Sequence, residues 1–377
     1  MASTESVVGD GWDFGYLMPQ ISFTESIENQ SLALVPFSDP RFVAIANSCD
    51  ATNALKSGLT DAFGRDCKSS ALLVNSNAPG NIDFVAVLDF RNAVAISSLI
   101  DGFSLQLSGG NAGYPQWSNY FDFYSYTPTT DGNLVGQSLA LTGYERSEGF
   151  AGQTTPYLPP STSIHPGVDN GVLDALLLQW NRKHLNKKSD RGTRALFRSL
   201  QVASAASRLP GVGTRVPTIH DLGLSVATWV SAFEVLSHPG NGNANKTTVL
   251  DCLEDASWMS PKLKARSYQS KSHSGKTVRR INFCQRLYTE LYQTRNDFLH
   301  GNKVAFKSLF PFRDDRLPSL PAIAVLVYRA ALEGFLRHLP GSLSSNTPNN
   351  LEAWFENSFR RRPYEEALEN LIARKTT

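Results

Sequence analysis

The chain has 377 residues, a formal net charge of +2 and 41% hydrophobic residues. That length favours two domains, and the near-neutral charge excludes a strong global pull toward nucleic acid or membrane. Four cysteines, Cys49, Cys67, Cys252 and Cys284, are too few and too scattered for a disulfide framework or a paired-thiol zinc site. Reduced thiols, a polar start from Met1 to Asp10 and no run of about 18 apolar residues lead to the expectation of a cytoplasmic protein with no membrane partner.

The first 150 residues read as an α+β domain. Short apolar runs bounded by turn residues predict strands at Ser31–Phe37, Arg41–Asn47 and Ser70–Ser76. Leu55, Leu59 and Phe63, four apart, predict a helix. Asp89 reads as the cap of a second helix carrying Phe90, Ala93, Val94 and Ser97 on one face. Phe103–Ser108, Tyr120–Tyr126 and Ser138–Thr142 read as further strands. The aromatic run of Tyr120, Phe121, Phe123, Tyr124 and Tyr126 could stack nucleic-acid bases, but a strand covered on both faces is the simpler reading.

Residues 151–168 are rich in Pro, Gly and Ser and carry no periodicity, so they read as a linker. From 169 onward the period is helical. Asp169 caps a helix with Leu173, Leu176, Leu177 and Trp180 on one side, and Leu196, Phe197 and Leu200 mark another within 190–208. Residues 221–236 are apolar nearly all round and predict a central buried helix. Helices are also expected at Thr247–Trp258, Thr277–Leu299 and Pro321–Leu339, with a polar helical extension around 350–374.

Several motifs fail on chemistry. The loop GNGNANKTT (240–248) has Asn245 where a phosphate-binding loop needs Gly before its Lys. Asp314 and Asp315 have no His or Cys spaced for a metal. The segment YQTRNDFLHGN (292–302) is more informative. It holds Arg295, Asn296 and His300 in an R-x4-H arrangement, at the end of an expected helix and just before Gly301, a C-capping residue. A second match, Arg215 to His220, contains Pro217 and serves as a decoy. Arg295 continues the ladder Leu287, Leu291, Arg295, Leu299, so its charge should turn inward and need a partner. The lone acid of the apolar helix, Glu234, is the expected one. A buried Arg–Glu bridge with no catalytic role is the bland reading. In the functional one, Glu234 orients Arg295 while His300 works at the helix end.

With SAFEVL (231–236), RNDFLHG (295–301) and PAIAVLVYRAALEGFL (321–336), the stretch 170–340 resembles a HEPN domain of the Apea-like branch. After the α+β N-terminal domain read from its own residues, the resemblance implies an all-α HEPN-like helical bundle, and a homodimer. It implies metal-independent endoribonuclease activity with Arg295, Asn296 and His300 as catalytic residues, no cofactor and no metal. It also implies a role in anti-phage defence or a toxin system, with a phage-derived or small-molecule trigger on the N-terminal domain. The alternative is a catalytically inactive dimerisation and binding module with a ligand- or partner-sensing N-terminal domain.

The chemistry suits those residues. His titrates near neutrality and can deprotonate a ribose 2′-OH, while Arg offers a charged fork to phosphate. Five residues of helix turn about 500°, so Arg295 and His300 diverge by roughly 140° whereas Asn296 and His300 share a face. A two-fold pairing would supply the missing cation. Upstream, Pro261–Arg286 holds Lys262, Lys264, Arg266, Lys271, Lys276, Arg279, Arg280 and Arg286 without an acid. Lys271, Lys276, Arg279 and Arg280 are the expected RNA contacts, against the simpler reading of a solvated basic loop. Tyr288 and Tyr292 could line the groove, with core packing the better reading.

Overall fold

The computed structural model describes residues 11–19, 21–50, 52–53, 56, 69–79, 82–109, 116–123, 126–128, 134–136, 166–208, 217–242, 244–271, 277–339 and 361–376. The chain divides into two compact units, 1–87 with 119–166, and 88–118 with 167–377. The expected single break at 151–168 is thus replaced by an interleaved division, in which most of one long helix belongs with the C-terminal half. The linker expected at 151–168 lies almost wholly outside the described residues, as do Leu55, Leu59, Phe63, Cys67 and Ser138–Thr142.

The first unit holds an antiparallel sheet of strands β1 (Trp12–Met18), β2 (Ile27–Glu28), β3 (Leu32–Pro36) and β4 (Ser70–Asn75), in the order β1-β4-β3-β2. The register of β1 slips between Phe14 and Tyr16. Gly15 sits in that bulge, where a Cβ would come within 3.0 Å of Val74. The strand expected at Arg41–Asn47 is instead helix α1 (Pro40–Ser48). Asp39 caps it by accepting from the Arg41 N–H, and Pro40 occupies the first turn, where its missing N–H costs nothing. Phe42 then packs into the sheet with Val35, Ala71 and Leu73.

A second correction concerns α2 (Phe84–Ser108). Asp83, not Asp89, accepts from its first turn, at the Ala86 N–H (2.8 Å). The helix continues through Phe103–Ser108, which was expected as a strand. Asp89 is used instead to hold Lys183 (2.5 Å) and His184 (2.8 Å). The expected strand at Tyr120–Tyr126 is largely absent: Ser118–Phe121 is a 3-10 turn, followed by the short pair β5 (Tyr126–Pro128) and β6 (Leu134–Gly136). Tyr120 and Phe121 are buried there, so they present no stacking platform.

The second unit is helical. Asp169 caps α3 (Asn170–His184), as its position led one to expect, and Asp190 caps α4 (Arg191–Ala206). A capping box at Thr218 starts α5 (Ile219–Leu236). Next come α6 (Lys246–Glu254), α7 (Pro261–Ala265), the hairpin β7 (Tyr268–Lys271) and β8 (Thr277–Ile281), α8 (Phe283–Leu299), α9 (Leu320–Leu336) and α10 (Arg361–Thr376). The most completely buried helix is α9, in which every residue from Ile323 to Gly334 is buried. No helix among the described residues is long and apolar enough to cross a membrane.

Candidate functional site

The site is built around α8. It was expected to begin at Thr277, but Thr277–Ile281 pairs with Tyr268–Lys271 as a strand. Asn282 then caps the helix, in a reciprocal box with Gln285. The spare amide nitrogens of the same two residues reach back to α6. Asn282 donates to the Leu253 carbonyl (3.0 Å) and Gln285 to that of Leu250 (2.6 Å). These bonds fix α6 beside the start of α8 and bring Lys246, one turn before Leu250, toward Arg286.

The far end of α8 closes with a Schellman motif. The Asn302 N–H donates to the Asp297 carbonyl (2.9 Å) and the Gly301 N–H to that of Phe298 (3.4 Å). Gly301 takes φ +71, the left-handed conformation its type allows. His300 is the capping residue and is exposed.

One stripe of α8 opens on solvent. Arg286, Thr289, Gln293, Asn296 and His300 recur at intervals of three and four, so they share a face. They border a cleft of about 960 Å³, whose other walls include Lys246 and the hairpin residues Gln269 and Arg279. Tyr292, Asp297 and Asn302 also line it. Burial is the main cause that pushes the Lys246 ammonium below its usual range, and neighbouring Arg286 adds to it.

Arg295 does not line this cleft. Its guanidinium lies 3.7 Å from Glu234, donates to Asn296 Oδ1 (2.9 Å) and sits over the Tyr292 ring. The expected pair with Glu234 therefore exists but is not buried, for the two side chains keep 25% and 19% of their exposure. Desolvation raises the Glu234 carboxyl above the usual range, and Arg295 pulls it partly back. On the same ladder Leu287 and Leu291 are buried, but Leu299 is 55% exposed, so the inward stripe ends before the motif does. Tyr288 is buried in the core beside Phe233, and its hydroxyl titrates well above the usual range, because of burial first.

No family model matches the chain, and neither a curated protein nor a solved structure does.

The basic stretch is less naked than its local composition led one to expect. Arg279 pairs with Asp251 and lies 3.7 Å from Glu254, Lys262 pairs with Glu369, and Arg286 with Glu290. Asp251, Glu254 and Glu369 come from distant parts of the chain, which a local charge count cannot see, and Glu290 lies one turn further along α8. The stretch is also not a loop, since it contains α7 and both hairpin strands. Arg280 is exposed but outside the cleft. The Lys271 backbone pairs with Thr277, and Lys276 lies outside the described residues. Among the described residues no cluster of three or more His, Cys, Asp or Glu could hold a metal.

Lys246 is the residue that sequence reasoning missed. It belonged to a loop set aside for lacking a glycine. The available signal was its place at the N-terminus of an expected helix, where a cation opposes the helix dipole. A residue that violates a local rule is a functional flag.

Proposed function

We propose that the cleft along α8 binds RNA and that His300 cleaves it, making the protein a metal-independent endoribonuclease. The observation that carries this reading is His300 itself. It is exposed and shares a cleft-facing stripe with Asn296, and the lining of the cleft includes the cations Lys246, Arg279 and Arg286 against the one acid Asp297. His300 takes the proton of a ribose 2′-OH. The 2′ oxygen bonds to phosphorus, the bond to the 5′ oxygen breaks, and that oxygen takes a proton from an imidazolium or from water. The products are a 2′,3′-cyclic phosphate and a 5′-hydroxyl. Because Asn296 Oδ1 is occupied by Arg295, its amide NH2 is the group free to donate to a phosphate oxygen. Arg295 then acts as a positioning residue.

The resemblance to HEPN domains agrees with this chemistry and adds a second copy of the chain, which would bring another positive charge to the scissile phosphate. The exposed Leu299 at the motif, and Leu224 on α5, are apolar surface for such a pairing. Leu224 follows Gly223, which abuts the Phe298 ring next to Leu299.

The test is cleavage of total RNA in EDTA by wild type and His300→Ala. Loss of general acid–base catalysis should lower the rate by about 10²–10⁴-fold. Equal rates would refute the assignment. The rival reading, an inactive binding and dimerisation module, is favoured by one observation, namely that Arg295 is turned to Glu234 instead of the cleft. That reading expects RNA binding or dimerisation without cleavage by any variant.

A further inference from the structure

The cationic end of the cleft and the His300 end are far apart. From Arg286 to His300 is fourteen residues of helix, or about 21 Å along the axis. The Lys246–Arg286 pair therefore cannot touch a phosphate that reacts at His300. What lies between them is polar and partly aromatic: Thr289, Gln293 and Tyr292, faced by Gln269 of the hairpin. Arg286 and Arg279 carry their own acids, Glu290 and Asp251. Lys246 has no ion pair or hydrogen bond among the described residues, although it is half-buried. The helix start beside it has already spent most of its donors. Asn245 accepts from the Thr247 and Thr248 N–H groups, so the side-chain charge of Lys246 is the main attraction left for an anion. An ammonium without a counter-ion of its own, near a guanidinium already paired with Glu290, leaves an excess positive charge that an oligoanion completes.

We infer that Lys246 and Arg286 form a phosphate subsite remote from the reacting centre, so that the cleft takes single-stranded RNA several nucleotides long, anchored at one end. This rests on the reading of the cleft as an RNA site and names the form of its substrate. A stacked strand advances about 3.4 Å per nucleotide, so 21 Å corresponds to about six steps, and to fewer in a more extended strand. Amide side chains and a tyrosine between the two ends suit unstacked bases, whose edges and faces are accessible only in a single strand.

The experiment measures binding of 5′-labelled single-stranded RNA of three and twelve nucleotides by fluorescence anisotropy over a salt series. Wild type and Lys246→Gln are compared, with Lys246→Arg as the charge-preserving variant and thermal melting as the control of fold. Wild type should bind the twelve-mer at least tenfold more tightly than the three-mer. Lys246→Gln should weaken the twelve-mer about five- to tenfold and flatten the slope of log K against log salt by about 0.7, the loss of one phosphate contact. Lys246→Arg should restore both. Equal affinity and slope in wild type and Lys246→Gln, or an affinity independent of length, would overturn the subsite, as would tighter binding of a duplex of the same length. The two ideas separate cleanly. If wild type binds in this way but never cleaves, the catalytic reading falls and the subsite stands. If His300-dependent cleavage occurs while Lys246→Gln changes nothing, only the subsite falls. No RNA binding at any length refutes both.

Discussion

Arg329 has no exposed surface, and its guanidinium is shared by Asp169 (2.9 Å) and Glu333 (3.2 Å) above the ring of Tyr364. Asp169 has a second duty, since its other oxygen caps α3 at the Val172 N–H (3.1 Å). Asp169→Ala removes a cap and a buried counter-ion together and should destabilise by about 3–5 kcal/mol. Asp169→Asn keeps the cap and should cost measurably less in a denaturant titration. Equal losses would show that the cap contributes nothing and that the lost charge accounts for the whole effect. The pair of Arg295 with Glu234 is weaker because it is half-wet, so Glu234→Ala should cost only about 1 kcal/mol. Its pH dependence has a definite sign. Burial raises the Glu234 pKa, so the folded state binds the proton more tightly than the unfolded one. That contribution is fully present below the unfolded carboxylate pKa and is lost as pH rises through the raised value. The melting temperature of Glu234→Gln relative to wild type should therefore increase from pH 4 to pH 7, and a constant difference would contradict the shift. The sequence argument that led to Arg295, a lone charge in an apolar helix needing a partner, applied with more force to Arg329 and Glu333, four apart in the most apolar helix. It was not made there because no catalytic motif drew attention to them. Cys284 is the buried thiol that composition suggested. Burial pushes it up to about 12, so it should resist iodoacetamide in the folded state while the exposed Cys49 reacts.

Elements were legible where a cap and a period agreed. Asp169 and Gly301 marked their helix ends correctly. They were misread where one signal outweighed another. The apolar run at Arg41–Asn47 looked like a strand, yet Asp39 and Pro40 before it are a helix start. Phe103, Leu105 and Leu107 alternate as a strand would, but they prolong a helix already fifteen or more residues old, where each added residue needs no new nucleus. Thr277–Ile281 has its β-branched residues in front of a capping Asn282, so the strand and helix meet at the cap. The turn Pro311–Arg313 was invisible in the sequence. Phe312 and Arg313 both adopt positive φ, +57 and +58, with the Phe312 N–H held by Glu290 (2.7 Å) and its ring against Phe283. Left-handed backbone costs a side-chain-bearing residue about 1–2 kcal/mol. Arg313 is exposed, so Arg313→Gly should raise stability by about 1 kcal/mol. A lower melting temperature would mean that its side chain makes a contact worth more than the strain.

At the scale of the whole chain, sequence reasoning found an α+β region and a helical region but placed the border by composition. The border follows packing instead. In the second unit α2 contributes Asp89 to Lys183 and His184, and Arg91 to Ser204. A fragment covering 169–377 alone therefore lacks an internal wall of its own core. It should be insoluble or lack a cooperative thermal transition, whereas a chain that also includes 84–118 should melt cooperatively. A well-folded 169–377 fragment would contradict the interleaved division. The candidate site was legible in its chemistry, Asn296 and His300, because helical spacing puts them on one face. Its geometry was not, because Lys246 and the acids that quench the basic stretch come from other elements.

Helix α10 gives the second unit a history as well as a shape. Asn370 donates to the Leu107 carbonyl across 263 residues, Glu365 accepts from the Met259 and Ser260 N–H groups, and Tyr364 lies over Arg329. On the ribosome α2 emerges long before α10, so its contact at Leu107 waits for residues synthesised much later. Until then the Leu107 end of α2 lacks its bond from Asn370, and the ionic cluster at Arg329 lacks its aromatic lid. Completion of this unit thus depends on contacts far apart in the chain, which close only when α10 arrives and leave partly formed structure open to misassembly before then.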